Sequence, residues 1–337
     1  MASSTTMPML SGSGPVPFTD VDDDTVPKRP AKEEFGGLVA ALPRKQQGAM
    51  ELRLYQGFWL SEHWVAGTVV FQRRFSRAGT TYPKCGTTWF KALAFAAMTR
   101  AYPHPQHEHP LLRLNPHDCV PFLDDIFADG QEAKLEALPS PRLMNTHMPY
   151  TLLPESVTGM GGIAGCKVVY ICRDPKDKVV SMWHFLRRRW QPDLSFAELF
   201  EHVCDGSVVV GPIWDHVLSY WHASVARPDR VLFLKYEDLL NDACGNVRRL
   251  AGFMGRPFSA AEEHAGAVEG VVELCSFERM KRLEANRKGS LYHAVPRDAF
   301  FRKGVAGDWV NYMTPEMAAR LDEIVREKFR GTGLVAA

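Results

Sequence analysis

In the stretch TYPKCGTTWFKALAFA (81–96), a lysine, a glycine and two threonines stand just ahead of an apolar run with helical spacing. Gly86 allows close backbone approach, and the N–H groups of Thr87, Thr88 and Trp89 would point out of a helix N-terminus. That is an anion cradle, with Lys84 adding a positive charge. A nucleoside-triphosphate loop has the form GxxxxGK[ST], with lysine after the last glycine. Here Lys84 precedes Gly86 and no glycine lies five residues before it, so an ordinary triphosphate is disfavoured. Two further cationic groups recur downstream. Arg173 ends the run KVVYIC (167–172), where α/β proteins place ligands, and Ser181 follows two helical turns later. FFRKGVAGDW (300–309) sets Arg302 and Lys303 beside Gly304, a flexible cationic loop suited to a dianionic phosphate. Taken singly, these segments also read as a plain turn into a helix, a surface Arg173–Asp174 ion pair and a solvated turn.

Such groups converge only if a scaffold brings them together. KVVYIC and VLFLK (231–235) have the β-branched, apolar character of buried parallel strands, each followed by a helix signal. After the first, Asp174 can cap and Pro175 can open a helix running through Phe185. Thr314 and Pro315 open another in the same way. PRLMN (141–145) is a further strand candidate, ending just before Thr146 and His147. The alternation predicts an α/β fold, a single domain with a mostly parallel central sheet flanked by helices. Residues 1–34, rich in Ser, Thr, Pro, Gly and Asp, are expected to stay mobile, so the domain is expected to span 35–337.

Lys and Arg number 40 against 39 Asp and Glu, a net charge of +1, so no bulk field draws this chain of 337 residues to nucleic acid or anionic lipid. Seven cysteines without a CxxC pair argue against a disulfide framework or a zinc site and for a reducing compartment. No apolar run approaches the roughly 20 residues that span a bilayer. The N-terminal segment lacks the basic start and apolar middle of a secretory signal. It faintly suggests a plastid transit peptide, but its acidic cluster Asp20, Asp22, Asp23 and Asp24 favours the cytoplasm. Two patterns are discounted. Gly159, Gly161 and Gly162 precede a strand where a dinucleotide fingerprint would follow one. His104, His107 and His109 lie among prolines, which favours an extended surface segment over a metal site.

Together, TYPKCGTTW, KVVYICRDPKDKVVSMWHF and RKGVAGDW resemble, in order and spacing, the cofactor-binding signatures of the cytosolic sulfotransferases. YQGFWL (55–60), NPHDCVPFLD (115–124), NTHMPY (145–150), LKYEDLL (234–240) and SFERM (276–280) resemble that family as well. YQGFWL and PKCGTTW point to its plant branch. The resemblance implies a P-loop-like loop for 3′-phosphoadenosine 5′-phosphosulfate, with the 5′-phosphosulfate on Lys84, Cys85, Gly86, Thr87 and Thr88 and the adenine against Trp89. It places Arg173, Ser181, Arg302, Lys303 and Gly304 on the 3′-phosphate, and Tyr236 and Phe277 around the nucleoside. His147 matches the family's catalytic base, and Lys84 would stabilise charge on the oxygen bridging sulfur and phosphorus. No metal is needed. The acceptor would be a small hydroxylated metabolite such as a flavonoid, brassinosteroid, hydroxyjasmonate or desulfoglucosinolate, with Phe122 and Tyr150 offering apolar surface near His147; oligomeric state is left open.

Three departures from the family stand out. Its apolar strand before the loop is replaced by FQRRFSRAGTTYPK (71–84), so either GTVVF (67–71) serves as that strand or the loop is poorly supported. Asn145 stands where some members carry a second catalytic lysine. Cys85 replaces a commoner serine, and a thiol at a helix N-terminus is expected to have a depressed pKa and to be oxidisable. The competing readings are a nucleotide-binding relative with impaired turnover and, less favoured, a phosphoryl-transfer enzyme, for which neither a magnesium site nor a Walker lysine is apparent.

Overall fold

A computed structural model describes residues 14–21, 30–74, 84–101, 108–159, 166–292 and 295–334. Helix α1 (Ala31–Ala41) leads into an antiparallel meander of β1 (Arg44–Gln47), β2 (Met50–Tyr55) and β3 (Phe58–Ser61). Helix α2 (Glu62–Arg74) follows directly, its first turn helped by the Ser61 hydroxyl accepting from Trp64 N. Val65, Ala66, Val69, Val70 and Phe71 are buried, and a Cβ on Gly67 would lie 2.6 Å from the backbone nitrogen of Ala128 on α5 (Leu123–Ala128), so α2 and α5 touch along their backbones. Residues 67–71 therefore do not form the strand before the loop. They are the middle of α2, where apolar spacing of three and four residues outweighs the β-propensity of valine. Residues 75–83 lie outside the described chain.

Helix α3 (Thr87–Thr99) leaves the anion loop and is buried almost all round, in contact with α4 (Pro116–Cys119) and with the helices Ala243–Phe253 and Ala267–Leu274. Strand β4 (Val168–Cys172) is buried at every position and pairs parallel with β5 (Val231–Lys235), in register from Val168 opposite Val231 to Cys172 opposite Lys235. These are the two strands expected from KVVYIC and VLFLK, and among the described residues they form a two-stranded parallel sheet. PRLMN is not a strand. Asn145 alone makes a parallel bridge to Phe122, with Leu123 N donating to Asn145 O and Asn145 N to Pro121 O; Pro141 can donate no ladder bond.

Asp174 caps the helix Pro175–Arg189 through the N–H groups of Lys176 and Asp177, and Thr314 caps Pro315–Phe329 through Met317 N. Within the leader expected to be mobile, the described residues are held. Asp20 pairs with Arg113, Lys134 lies 4.7 Å over the Phe18 ring, and α1 begins at Ala31, four residues before Phe35, with Ala31 itself buried. All seven cysteines are free thiols.

Candidate active site

Gly86 is the N-cap of α3 at φ 88° and ψ 20°, a left-handed conformation that favours glycine. A Cβ there would lie 2.6 Å from the Tyr236 ring, so the loop presses directly on the residue that follows β5. Lys84, also left-handed at φ 65°, turns its ammonium over the Phe185 ring at 4.0 Å. Burial, with Arg173 and Arg302 beside it, lowers the Lys84 pKa to about 7. Cys85 overturns its expectation. Its side chain is 3% exposed, and burial pushes the thiol up to about 12 despite the nearby Lys178 and Arg173, so it is protonated at neutral pH. Proximity to a helix N-terminus does not offset the loss of water.

Arg173 leaves the C-terminal end of β4 and lies 4.6 Å over the Tyr236 ring. Its partner is not Asp174, which caps the helix, but Asp177 one turn on, 3.3 Å away. Asp177 also accepts from Gly307 N at 2.6 Å and Trp309 N at 3.0 Å, so one buried carboxylate ties the β4 end to the Arg302–Gly304 loop. That loop is braced, which corrects the expectation of flexibility. Arg302 and Lys303 donate to Asp308 at 2.5 and 2.6 Å. Burial raises the Asp308 pKa, but bonds from Lys303, Arg302 and Asn311 outweigh it and hold the carboxyl down at about 2. Gly304 sits against Phe277, where a Cβ would come within 2.5 Å of the ring.

One cavity of about 1050 Å³ takes in Lys84, Gly86, Thr87, Thr88, Trp89, Arg173, Ser181, Tyr236, Phe277, Arg302, Lys303 and Gly304, and also His147. Every candidate residue except the buried Cys85 thus borders a single space. Trp89 packs edge-on to Tyr236 at 5.9 Å. Among the described residues the Nε atoms of Arg173 and Arg302 are buried without a hydrogen-bond partner, while their terminal nitrogens are held by Asp177, Val305 O and Asp308.

At the other end of the cavity the His147 peptide is held from both sides. Its N–H donates to Asp124 Oδ2 at 3.1 Å, and its carbonyl lies 3.0 Å from His216 Nε2. His216 is buried, its pKa lowered by that burial to about 3, so the neutral ring donates from Nε2 while Nδ1 sits 3.1 Å from the Tyr170 hydroxyl on β4. Burial raises the Asp124 carboxyl to about 7. Around the His147 imidazole stand Phe122 at 4.8 Å and Trp64 at 6.4 Å. Tyr150 does not join them; it packs against Tyr220 and its hydroxyl accepts from Arg227. Sequence reasoning missed Trp64, Lys91, His117, Tyr292 and Phe300, all in the cavity lining. His117 was within reach, because it lies in NPHDCVPFLD, but Trp64 and Tyr292 have no motif to mark them.

His104 and His107 lie outside the described residues, as do Gly161 and Gly162. His109 accepts from Leu111 N and caps a short turn. Among the described residues no group of three His, Cys, Asp or Glu is placed to hold a metal, and no helix is long and apolar enough to cross a membrane.

A family described as the sulfotransferase domain matches residues 80–333. The chain belongs to the sulfotransferase family. Cytosolic sulfotransferase 17 of Arabidopsis thaliana is 42% identical over 320 residues, covering 91% of each chain. Cytosolic sulfotransferase 5 of the same plant is 39% identical over 314 residues, covering 90% of this chain and 96% of that one. These relatives place the chain in the plant cytosolic branch of the family. A crystal structure of a candidate steroid sulphotransferase from Arabidopsis thaliana superposes with a TM-score of 0.71 at 34% identity, covering 93% of this chain and all (100%) of that one. Mouse sulfotransferase SULT7A1, crystallised with PAP, gives a TM-score of 0.64 at 26% identity over 84% of this chain and 96% of that one. The family match begins at residue 80, after helix α2.

Proposed function

We propose that this sulfotransferase draws its sulfuryl group from 3′-phosphoadenosine 5′-phosphosulfate and passes it to a hydroxyl of a small apolar metabolite in the cytoplasm. The observation that carries the donor is the convergence of Arg173, Arg302 and Lys303 with the Lys84–Gly86 loop on one cavity. Lys84 and the paired cations Arg302 and Lys303 offer positive charge to a ligand that carries more than one anionic group. On this reading Arg173, Ser181, Arg302, Lys303 and the backbone at Gly304 receive the 3′-phosphate. Lys84, Gly86, Thr87, Thr88 and the backbone at Cys85 receive the 5′ end, with the base between Trp89, Tyr236 and Phe277. The mouse relative's complex with PAP supports a nucleotide of this kind as the ligand.

When bound, the donor supplies an activated sulfuryl group on a phosphate leaving group. The protein's part is to place a proton acceptor and fixed positive charge. His147, with its peptide clamped by Asp124 and His216, takes the acceptor hydroxyl's proton. Lys84 is half-buried on the cavity wall, so when protonated its partly shielded charge acts on the developing negative charge of the leaving oxygen. Phe122, Trp64 and Phe300 give the acceptor end apolar walls, which favours a ring-bearing alcohol or phenol.

The test is transfer of label from the donor to a panel of hydroxylated metabolites by the wild-type protein and by His147→Ala. The variant should lose at least ~100-fold in kcat while binding PAP as before. Retention of more than about a tenth of wild-type kcat would remove His147 from the role. PAP binding by the wild type with no transfer to any panel member would favour the impaired-turnover reading.

A further inference from the structure

Behind Thr88 lies a cluster of titratable side chains that the scheme above leaves unused. Lys91, one turn after Thr87 on α3 and 3% exposed, meets His117, 9% exposed, and the hydroxyl of Tyr292. Lys91 Nζ is 3.1 Å from Val120 O, 3.1 Å from His117 Nδ1 and 3.5 Å from Tyr292 Oη. An ammonium has three N–H donors and no acceptor, and here three acceptors surround it. While Lys91 carries its charge, below about pH 7, a proton on Nδ1 would set two donors against each other at 3.1 Å, and the Tyr292 hydroxyl, also 3.1 Å from Nδ1, can donate to it. Nδ1 is therefore the acceptor and the imidazole proton sits on Nε2. Burial, followed by the Lys91 charge, keeps the His117 pKa well below its ordinary value, which agrees with a neutral ring.

His117 Nε2 lies 2.9 Å from Thr88 Oγ1. With the proton on Nε2, the imidazole donates to the threonine oxygen, and the threonine's own proton must point elsewhere. Thr88 borders the cavity beside Lys84 and Gly86. We propose that Lys91 and His117 are positioning residues for sulfuryl transfer, acting through Thr88 by locking its hydroxyl as a hydrogen-bond donor aimed at the phosphosulfate end of the cavity. Without them the hydroxyl can turn its proton toward His117 and offer the anion a lone pair, which repels it. The bland alternative is a satisfied polar cluster that only supports α3 and α4.

The inference rests on the sulfotransferase reading, so wild-type turnover and PAP affinity are measured first; their failure removes that reading and leaves the orientation of Thr88 to be judged by structure alone. Single-turnover transfer rates are then compared, so that product release does not mask the chemical step. Losing one preorganised donor costs ~100-fold or more at an oxyanion site, so Thr88→Val should slow transfer at least tenfold, while Thr88→Ser stays within about threefold of wild type. Lys91→Met and His117→Leu should each slow transfer roughly tenfold and shift PAP affinity less than about threefold. In the Thr88→Val background both should cost less than about twofold more, because the group they orient is gone. Should Lys91→Met or His117→Leu fail to fold, His117→Gln decides: it keeps an N–H donor for Thr88 and should retain at least about a third of the wild-type rate. Additive losses in the double variants, or a His117→Gln enzyme as slow as Thr88→Val, would overturn the proposal.

Discussion

His147 and Lys84 are positioned by residues of opposite character. The His147 peptide is gripped by buried polar groups, Asp124 and His216, whereas the Lys84 ammonium rests on the apolar face of Phe185 with two arginines nearby. The second arrangement has a measurable consequence. In the free enzyme burial and like charge hold the Lys84 pKa at about 7, below its ordinary 10.5. An anion bound beside it favours the charged form and raises that pKa, so nucleotide binding at pH 8 takes up a proton. Calorimetry of PAP binding in buffers of different ionisation enthalpy should show an uptake approaching ~1 proton at pH 8, abolished by Lys84→Met. No uptake by the wild type, or the same uptake by the variant, would contradict this account of Lys84. Lys84 and His147 were legible because their motifs fix them. Cys85 was misjudged, since motif position says nothing of burial, and burial pushes its thiol up to about 12.

The Lys84–Gly86 loop and the Arg302–Gly304 loop are braced in different ways. The first lies against Tyr236 at the end of β5, and the second is held by two carboxylates, Asp177 from below and Asp308 from within. Asp308 keeps Arg302 and Lys303 ordered before any ligand arrives, so little side-chain entropy remains to be lost on binding. Replacing both cations by Met should weaken PAP much more than adenosine 5′-phosphosulfate, which lacks the 3′-phosphate, since charge-assisted contacts contribute roughly 1.5–3 kcal/mol each. Equal weakening of both ligands by calorimetry would mean that this loop does not read the 3′-phosphate. At this scale β4, β5 and the helix caps at Asp174 and Thr314 were legible, because continuous apolar runs and Asp-Pro or Thr-Pro starts have local causes. The helical state of residues 67–71 was not. Val69 and Val70 favour a strand locally, and the helical spacing of the apolar residues together with packing of Gly67 against Ala128 on α5 outweighs them.

Lys91 and Lys178 are buried and Lys84 is half-buried on the cavity wall, and burial lowers each to about 7. An unfolded chain holds those protons up to about pH 10.5, so between 7 and 10.5 it binds more protons than the native state and stability rises with pH. Above 9 the buried thiols Cys85, Cys119, Cys172 and Cys275, all raised by burial, begin to oppose this, because the unfolded chain then loses protons that the native state keeps. The melting temperature of the free protein should therefore climb from pH 7 to pH 9. A flat or falling profile over that window would show that burial does not hold these lysines down in the native state. None of the three burials could be read from a charge count near neutrality, since net charge is blind to which cations lie inside. The joining of loop, β4 end and Arg302–Gly304 segment around one cavity was legible only as an ordered set of motifs; the cavity's far wall, built by Trp64 from α2 and by Tyr292, was not. That shared cavity is the centre of the account, and one titration tests it most directly. Wild-type protein should bind one equivalent of PAP, at least ~10-fold more tightly than adenosine 5′-phosphate, because the extra phosphate meets Arg173 and Arg302. No binding, or equal affinity for the two nucleotides, would contradict it.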